Sequence, residues 1–304
     1  HGVEGYDTLD GDGAVAEIAS RLPKYGVTAF CPTTVACAPE QLKEMLEQVR
    51  TARVHRPRGS ARVLPAHLES NFINPEYRGA QPGECLRMPD FAGHKGPRRI
   101  EQNAPDDGVA LLDTARPFTG RDILDLISSR RPDVGIVTLA PELPGGIDLV
   151  KTLVSAGHIV SIGHTGANFD EAIAAIEAGA SHATHLFNRM SPIGHRQPGV
   201  AGAVLSRQDV VAELICDGHH VHPAMSRLAI TSKGVDGIMA ITDGTGGSGL
   251  PVGSTARLGG RPIRVTDHAA VLEDGTLAGS TLTMERAFGT IVSRFEFSIV
   301  EAST

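Results

Sequence analysis

Seven strand-like apolar runs punctuate this chain, and most of them end on an ionisable residue. The runs are Val27–Thr34, Arg62–Ser70, Val134–Glu142, Ile159–Thr165, Ala183–Asn188, Ala212–Asp217 and Gly237–Asp243. Between them lie amphipathic stretches such as Glu40–Arg50, Arg121–Ser129, Phe169–Ala178 and Pro223–Ser232. Such alternation predicts βα units on a parallel sheet. On alternation alone, a doubly wound open sheet fits as well as a barrel. The strand ends decide between them. Five of the runs lead directly into an ionisable residue, Glu69, Glu142, His164, His185 or Asp243, and another reaches Asp217 and then His220. In a (β/α)8 barrel of the TIM type all these ends converge on one mouth, where catalytic groups sit. In an open sheet they would spread along an edge. Convergence favours the α/β barrel.

A barrel of this kind takes about 250 residues, so the 304 residues suit one barrel domain over 1–304. Seven strands leave an eight-stranded barrel one short, and the missing strand is expected to be the first, ending at or just before His1. After Asp243 the pattern changes to Gly-rich short strands over Thr245–Gly275, an excursion that closes by residue 276. Ser280 is then expected to cap a final helix. The chain opens without Met and stops at Glu301–Thr304, in what reads as a helix start, so both ends are expected to be cut. With 4% aromatic residues and no Trp, the 41% of hydrophobic residues must fill the core mainly with aliphatic side chains and Ala. No run approaches the ~18 apolar residues of a membrane span. The formal charge of −7 argues against nucleic acid or anionic membranes as partners. It still allows an anionic small molecule held by a few local cations. Cys31, Cys37, Cys85 and Cys216 form no CxxC pair, which points to a reduced, cytoplasmic protein.

By strand phase Glu69 shares a face with His67, and His185 shares one with Ala183 and Phe187, while His182 falls on the opposite phase and is expected to face the helical layer. A lone His in such a place is more often a hydrogen-bonded interior group than a ligand. One Glu and two His at three strand ends of one barrel reverse that balance. Glu69, His164 and His185 form a His2Glu set with room for water, the pattern of catalytic divalent-metal sites. Asp243 in Thr242-Asp243-Gly244 would by itself read as a turn residue. At the end of the last barrel strand it suits the carboxylate that metal-assisted hydrolysis needs, taking a proton from water and returning it to the leaving group.

His67-Leu68-Glu69, Gly163-His164-Thr165, Thr184-His185-Leu186-Phe187-Asn188 and Thr242-Asp243 resemble, in order, the signatures of the N-acetylglucosamine-6-phosphate deacetylase family of the amidohydrolase superfamily. Thr138–Glu142, Pro198–Gly202 and Leu277–Ser280 are similar too, and His1-Gly2 with Asp7 and Asp10 looks like the tail of the family's opening HxHG segment. Against that resemblance, the family's flanking β-sandwich, built from both termini, is expected to be missing from these 304 residues. The resemblance implies hydrolysis of the acetamide of N-acetylglucosamine-6-phosphate to glucosamine-6-phosphate and acetate. It implies Glu69, His164 and His185 as ligands of zinc or iron, His1 as a ligand of an additional metal, and Asp243 as the acid/base. Asn188, the backbone at Arg189, Arg196 and His220 become contacts to phosphate or sugar, and a homodimer is expected.

Three departures stand out. Ser70-Asn71 follows the metal Glu where the family usually has Gly-Pro. Gln81 stands where the family has a His that polarises the acetyl carbonyl, and is expected to donate there in its place. Arg189, where Ala is frequent, adds a cation near the phosphate. The rival readings are an amidohydrolase acting on N-acetylgalactosamine-6-phosphate or an N-acyl amino acid, and a sugar-phosphate-binding regulator that has lost turnover.

Overall fold

The computed structural model describes residues 1–89 and 117–304. A short antiparallel pair, β1 (Gly2–Val3) and β2 (Tyr6–Asp7), precedes helix α1 (Ala14–Arg21). Next come β3 (Ala29–Phe30), β4 (Thr33–Thr34), α2 (Pro39–Val54), β5 (Arg62–Val63) and β6 (Ala66–Glu69). The βα alternation then runs α3 (Gly120–Ser129), β7 (Val134–Leu139), α4 (Gly146–Ser155), β8 (Ile159–Ile162), α5 (Phe169–Glu177), β9 (His182–Ala183), α6 (Gly199–Ser206), β10 (Val211–Ile215), α7 (Pro223–Lys233) and β11 (Ile238–Ile241). Among the described residues, seven of these strands form one parallel sheet in the order β11-β10-β9-β8-β7-β6-β4. The sheet curls into the greater part of a TIM-type barrel, as the strand endings led us to expect. Its edges, β4 and β11, flank a cavity of about 300 Å³ that runs down the interior.

Period explains which side chain goes where. In α2 the buried positions Leu42, Met45, Leu46, Val49 and Ala52 recur at helical spacing and face the sheet. In β7 and β8, Val137, Leu139, Val160 and Ile162 pack outward into the helical core. Their alternates Thr138 and Ser161 point inward, where the Thr184 hydroxyl bonds both, at 2.7 and 2.6 Å. Local caps start the helices: Asn168 and Glu171 exchange reciprocal hydrogen bonds at the head of α5. Among the described residues no helix is long and apolar enough to cross a membrane.

Beyond β11, strands β12 (Thr255–Leu258), β13 (Arg261–Val265) and β14 (Ala270–Val271) form an antiparallel sheet. Leu258, Ile263 and Ala270 bury against Val35 and fasten it to the barrel. Helix α8 (Met284–Ser293) follows, and Ser298 caps the short α9 (Ile299–Ala302).

Two expectations need correcting. Ser280 does not cap α8; Thr283 occupies that position. The Ser280 hydroxyl instead donates to the Thr242 carbonyl and accepts from Leu282 N, bracing the turn that carries Asp243. His182 does not face the helical layer either. Its register partner on β8 is Ser161, an interior residue, so His182 lies on the interior face. Phase counting went astray because β9 stops at Ala183, so the turn, not the pleat, aims His185.

Candidate active site

Four of the strands deliver a side chain to the mouth. Glu69 is the last residue of β6. His164, His185 and Asp243 each lie two residues beyond β8, β9 and β11. All three have left-handed backbone, with φ of 49°, 34° and 46°. Non-glycine residues in that region carry a strain of order 1–3 kcal/mol each, and such residues gather at functional sites. Here the strained turn swings each side chain inward over the end of its strand. Gly163 makes the first of these turns possible, because a Cβ there would lie 2.8 Å from Thr184 Cβ and 2.9 Å from Thr138 Cγ2.

The imported groups converge on one carboxylate. Glu69 Oε1 lies 3.0 Å from His185 Nε2 and 3.5 Å from His164 Nε2, and Glu69 Oε2 lies 3.6 Å from His1 Nε2. The two ring nitrogens of His164 and His185 face each other at 3.0 Å. His164 Nδ1 is 2.9 Å from the Tyr77 carbonyl. A carbonyl only accepts, so Nδ1 carries the proton and Nε2 presents its lone pair inward. One ligand atom from each of Glu69, His164 and His185 lies within 4.8 Å of the others. His1, Glu69 and Asp243 form a second such group sharing Glu69, with His1 Nε2 at 3.1 Å from Asp243 Oδ1.

Charge follows from that geometry. Burial would raise the Glu69 carboxyl, but His164, His185 and His1 outweigh it and hold it well below the usual range. Burial would lower His1, yet its bond to Asp243 and the charge of Glu69 lift it to about 9. His185 rises to about 9 in the same way, with Glu69 overcoming burial. Among the described residues, His1 Nδ1 and His185 Nδ1 find no hydrogen-bond partner, though both are buried. A buried cluster that recruits protons against desolvation is one that binds positive charge, and a divalent cation fits the same donor set.

A second tier holds these groups. Glu142, which closes a sequence run, sits behind the site, accepting from Asn74 Nδ2 at 2.9 Å, Gly166 N at 2.7 Å and Thr165 Oγ1 at 2.5 Å. It thereby fixes the loop that carries His164. Ser70 bonds the Thr138 carbonyl at 2.6 Å, and Asn71 Nδ2 donates to the carbonyls of Cys37 and Cys85. The Ser70-Asn71 departure is therefore a brace beneath the mouth. Gln81 is committed at both ends of its amide: Oε1 accepts from Ala36 N at 2.7 Å, and Nε2 donates to Glu69 Oε2. It steadies the carboxylate, and one N–H remains for the pocket it lines.

One pocket collects His1, Glu69, Gln81, His164, His185, Asn188, Arg189, His220 and Asp243. Arg196 lies outside it, exposed on the following loop. Arg189, at φ 51°, runs its side chain over Gly79, where a Cβ would lie 2.7 Å from Arg189 Nε. Its carbonyl accepts from Thr165 N at 3.0 Å, and Asn188 N donates to the His185 carbonyl at 2.9 Å. Sequence reading missed the Tyr77 carbonyl, Asn74 and the bracing role of Glu142. No residue-type signal marks a backbone carbonyl, and a Glu at a strand end looks the same whether it faces a cation or a loop.

No family model matches the chain. The N-acetylglucosamine-6-phosphate deacetylase of Bacillus subtilis (strain 168) is 36% identical to it over 287 residues, which are 93% of this chain and 65% of that protein. The chain thus spans less than two thirds of that relative's length. The crystal structure of N-acetylglucosamine-6-phosphate deacetylase from Thermotoga maritima superposes with a TM-score of 0.81 at 32% identity, covering 100% of this chain and 73% of that one. A Mycobacterium smegmatis N-acetyl-D-glucosamine-6-phosphate deacetylase mutant, solved with N-acetyl-D-glucosamine-6-phosphate, gives a TM-score of 0.82 at 29% identity, covering 99% and 71%.

Proposed function

Because the chain belongs to the N-acetylglucosamine-6-phosphate deacetylase family, we propose that it hydrolyses the acetamide of N-acetylglucosamine-6-phosphate to glucosamine-6-phosphate and acetate. The observation that carries this proposal is the convergence of Glu69, His164 and His185 beside Asp243 at the barrel mouth. Glu69, His164 and His185 hold a divalent cation, zinc or iron, and His1 with Glu69 and Asp243 can hold another. Such a cation supplies Lewis acidity toward water and the acetyl carbonyl.

The chain's own groups do the rest. Asp243 takes the proton of the attacking water and delivers it to the departing amine, without which the amide bond would not break readily. Its 3.1 Å contact with His1 orients the carboxylate for both transfers. The remaining N–H of Gln81 donates to the carbonyl oxygen as negative charge builds there. Asn188, the backbone at Arg189, the Arg189 guanidinium and His220 receive the phosphate end of the substrate. The exposed Arg196 reaches the site of a second subunit in a homodimer. Among the described residues Cys31, Cys37 and Cys216 form no disulfide, which suits the reducing cytoplasm.

The test is turnover by the purified, metal-loaded protein, read as acetate released. N-acetylglucosamine-6-phosphate should be the best substrate, ahead of its galactosamine epimer, unphosphorylated N-acetylglucosamine and N-acyl amino acids. Absence of turnover on all four, or preference for an N-acyl amino acid, overturns the assignment.

A further inference from the structure

His220 reaches the pocket from the loop after β10, and a carboxylate stands directly behind it. Asp217 Oδ2 lies 2.6 Å from His220 Nδ1, with both side chains 7% exposed. The other oxygen, Oδ1, accepts from His219 N at 2.7 Å and from His220 N at 2.9 Å. One carboxylate therefore grips the ring and also the backbone that carries it. Gly218 permits the tight turn, with φ at 75° and a Cβ position only 2.5 Å from Arg294 Nη1. A carboxylate accepts and does not donate, so His220 Nδ1 must carry a proton. Nε2 is then the ring nitrogen left for the pocket, which His220 lines and Asp217 does not.

We infer that Asp217 is a positioning residue, which holds His220 through Nδ1–H so that Nε2 stands as a fixed donor to the anionic end of the substrate. This rests on the deacetylase assignment above and adds to it the residue that makes His220 selective for an anion. An imidazole without a partner presents either nitrogen, as donor or as lone pair, and a lone pair repels a phosphate oxygen. A carboxylate on Nδ1 keeps that nitrogen protonated and favours the doubly protonated ring, in which Nε2 can only donate. Burial works against the charge, but the hydrogen bond and charge of Asp217 outweigh it, and His220 titrates above its usual range. Asp243 favours the same state and His185 opposes it. The ring then makes charge-assisted hydrogen bonds at both ends, one to Asp217 and one to the phosphate.

Asp217→Asn isolates this role. The Asn oxygen still accepts from the two backbone N–H groups, while its NH2 can only donate, so His220 Nδ1 must become an acceptor. Imidazole ¹⁵N NMR should show Nδ1 of His220 protonated in the parent and unprotonated in Asp217→Asn, the signal being identified by its loss in His220→Gln. KM for N-acetylglucosamine-6-phosphate should rise roughly 10- to 100-fold more than KM for N-acetylglucosamine, the range of a hydrogen bond to a charged group. In a His220→Gln background, Asp217→Asn should add less than about 2-fold, because coupled residues are not additive. An unprotonated Nδ1 in the parent, equal losses on both substrates, or full additivity in the double variant overturns the inference. Should the parent fail to deacetylate any amino-sugar phosphate, the functional assignment falls separately. Inorganic phosphate then serves as the probe: it should shift His220 Nε2 more in the parent than in Asp217→Asn, where Nε2 donates only as a neutral N–H, and an equal response in both refutes the positioning role.

Discussion

Two adjacent layers of the barrel interior use the same residue types and reach opposite electrostatic states. In the lower layer His67 Nε2 meets Thr138 Oγ1 at 2.7 Å, and Thr138, Thr184 and Ser161 continue the chain of hydrogen bonds. Glu213 sits 3.7 Å from His67 Nδ1. Burial dominates there, pushing His67 down to about 4 and Glu213 up to about 7, so charge is suppressed. In the upper layer Glu69 faces His164, His185 and His1, and charge survives burial. The difference lies in matching. Where hydroxyls supply complementary donors and acceptors, neutral groups satisfy one another. Where lone pairs converge on one carboxylate, only a cation can satisfy them.

That contrast can be broken most directly at Glu69. Glu69→Gln should abolish metal content and turnover together while leaving the barrel folded, as read by elemental analysis and circular dichroism. Full metal retention would place the cation elsewhere. Asp243→Asn tests whether the upper layer divides its labour. Metal should stay bound and turnover fall by about 10²–10⁴-fold, the span of acid/base contributions; near-parental turnover returns Asp243 to a turn residue. Gln81→Ala removes the brace on Glu69 and the remaining N–H of the pocket. A loss of roughly 10- to 100-fold in metal affinity or kcat is expected, as for other groups that orient a ligand, whereas Gln81→His should be tolerated. Parental values for Gln81→Ala would remove it from both roles. The smallest effect on activity belongs to the lower layer. His67→Leu should cost about 1–3 kcal/mol of stability through the lost partner of Thr138, measured by denaturant midpoint, with metal content retained. Loss of metal in His67→Leu would erase the distinction between the layers.

The barrel was legible in the sequence because period and strand endings are local properties. Val134–Glu142 and Ile159–Thr165 read as strands from their apolar runs, and the βα alternation did the rest. The candidate ligands stood out in the sequence because Glu, His and Asp are informative residue types at strand ends. What depended on distant partners was not. Gln81 reads as a lost His, but its amide is held between Ala36 and Glu69, on segments separated in sequence. Asn71 reads as a bare departure from Gly-Pro, but both its N–H groups are taken by the carbonyls of Cys37 and Cys85. Ser280 and Thr283 carry the same capping signal, and only the Thr242 carbonyl decides between them. The family resemblance supplied roles for His220 and Arg189, while Asp217 passed as a strand end.

The left-handed turns at His164, His185 and Asp243 set a trap for anyone engineering a tougher version of this protein. Glycine adopts that backbone freely, so a design procedure that rewards relaxed dihedrals would propose replacing all three. The gain would be roughly 0.5–2 kcal/mol per site, the usual yield of stabilising substitutions, and the lost function is the familiar cost where activity depends on a strained site. Heat-challenge selection without an activity screen would drift the same way. Asp12 and Glu296 share the left-handed backbone, at φ 54° and 64°, away from the mouth. Those are the positions at which a thermostability campaign should begin.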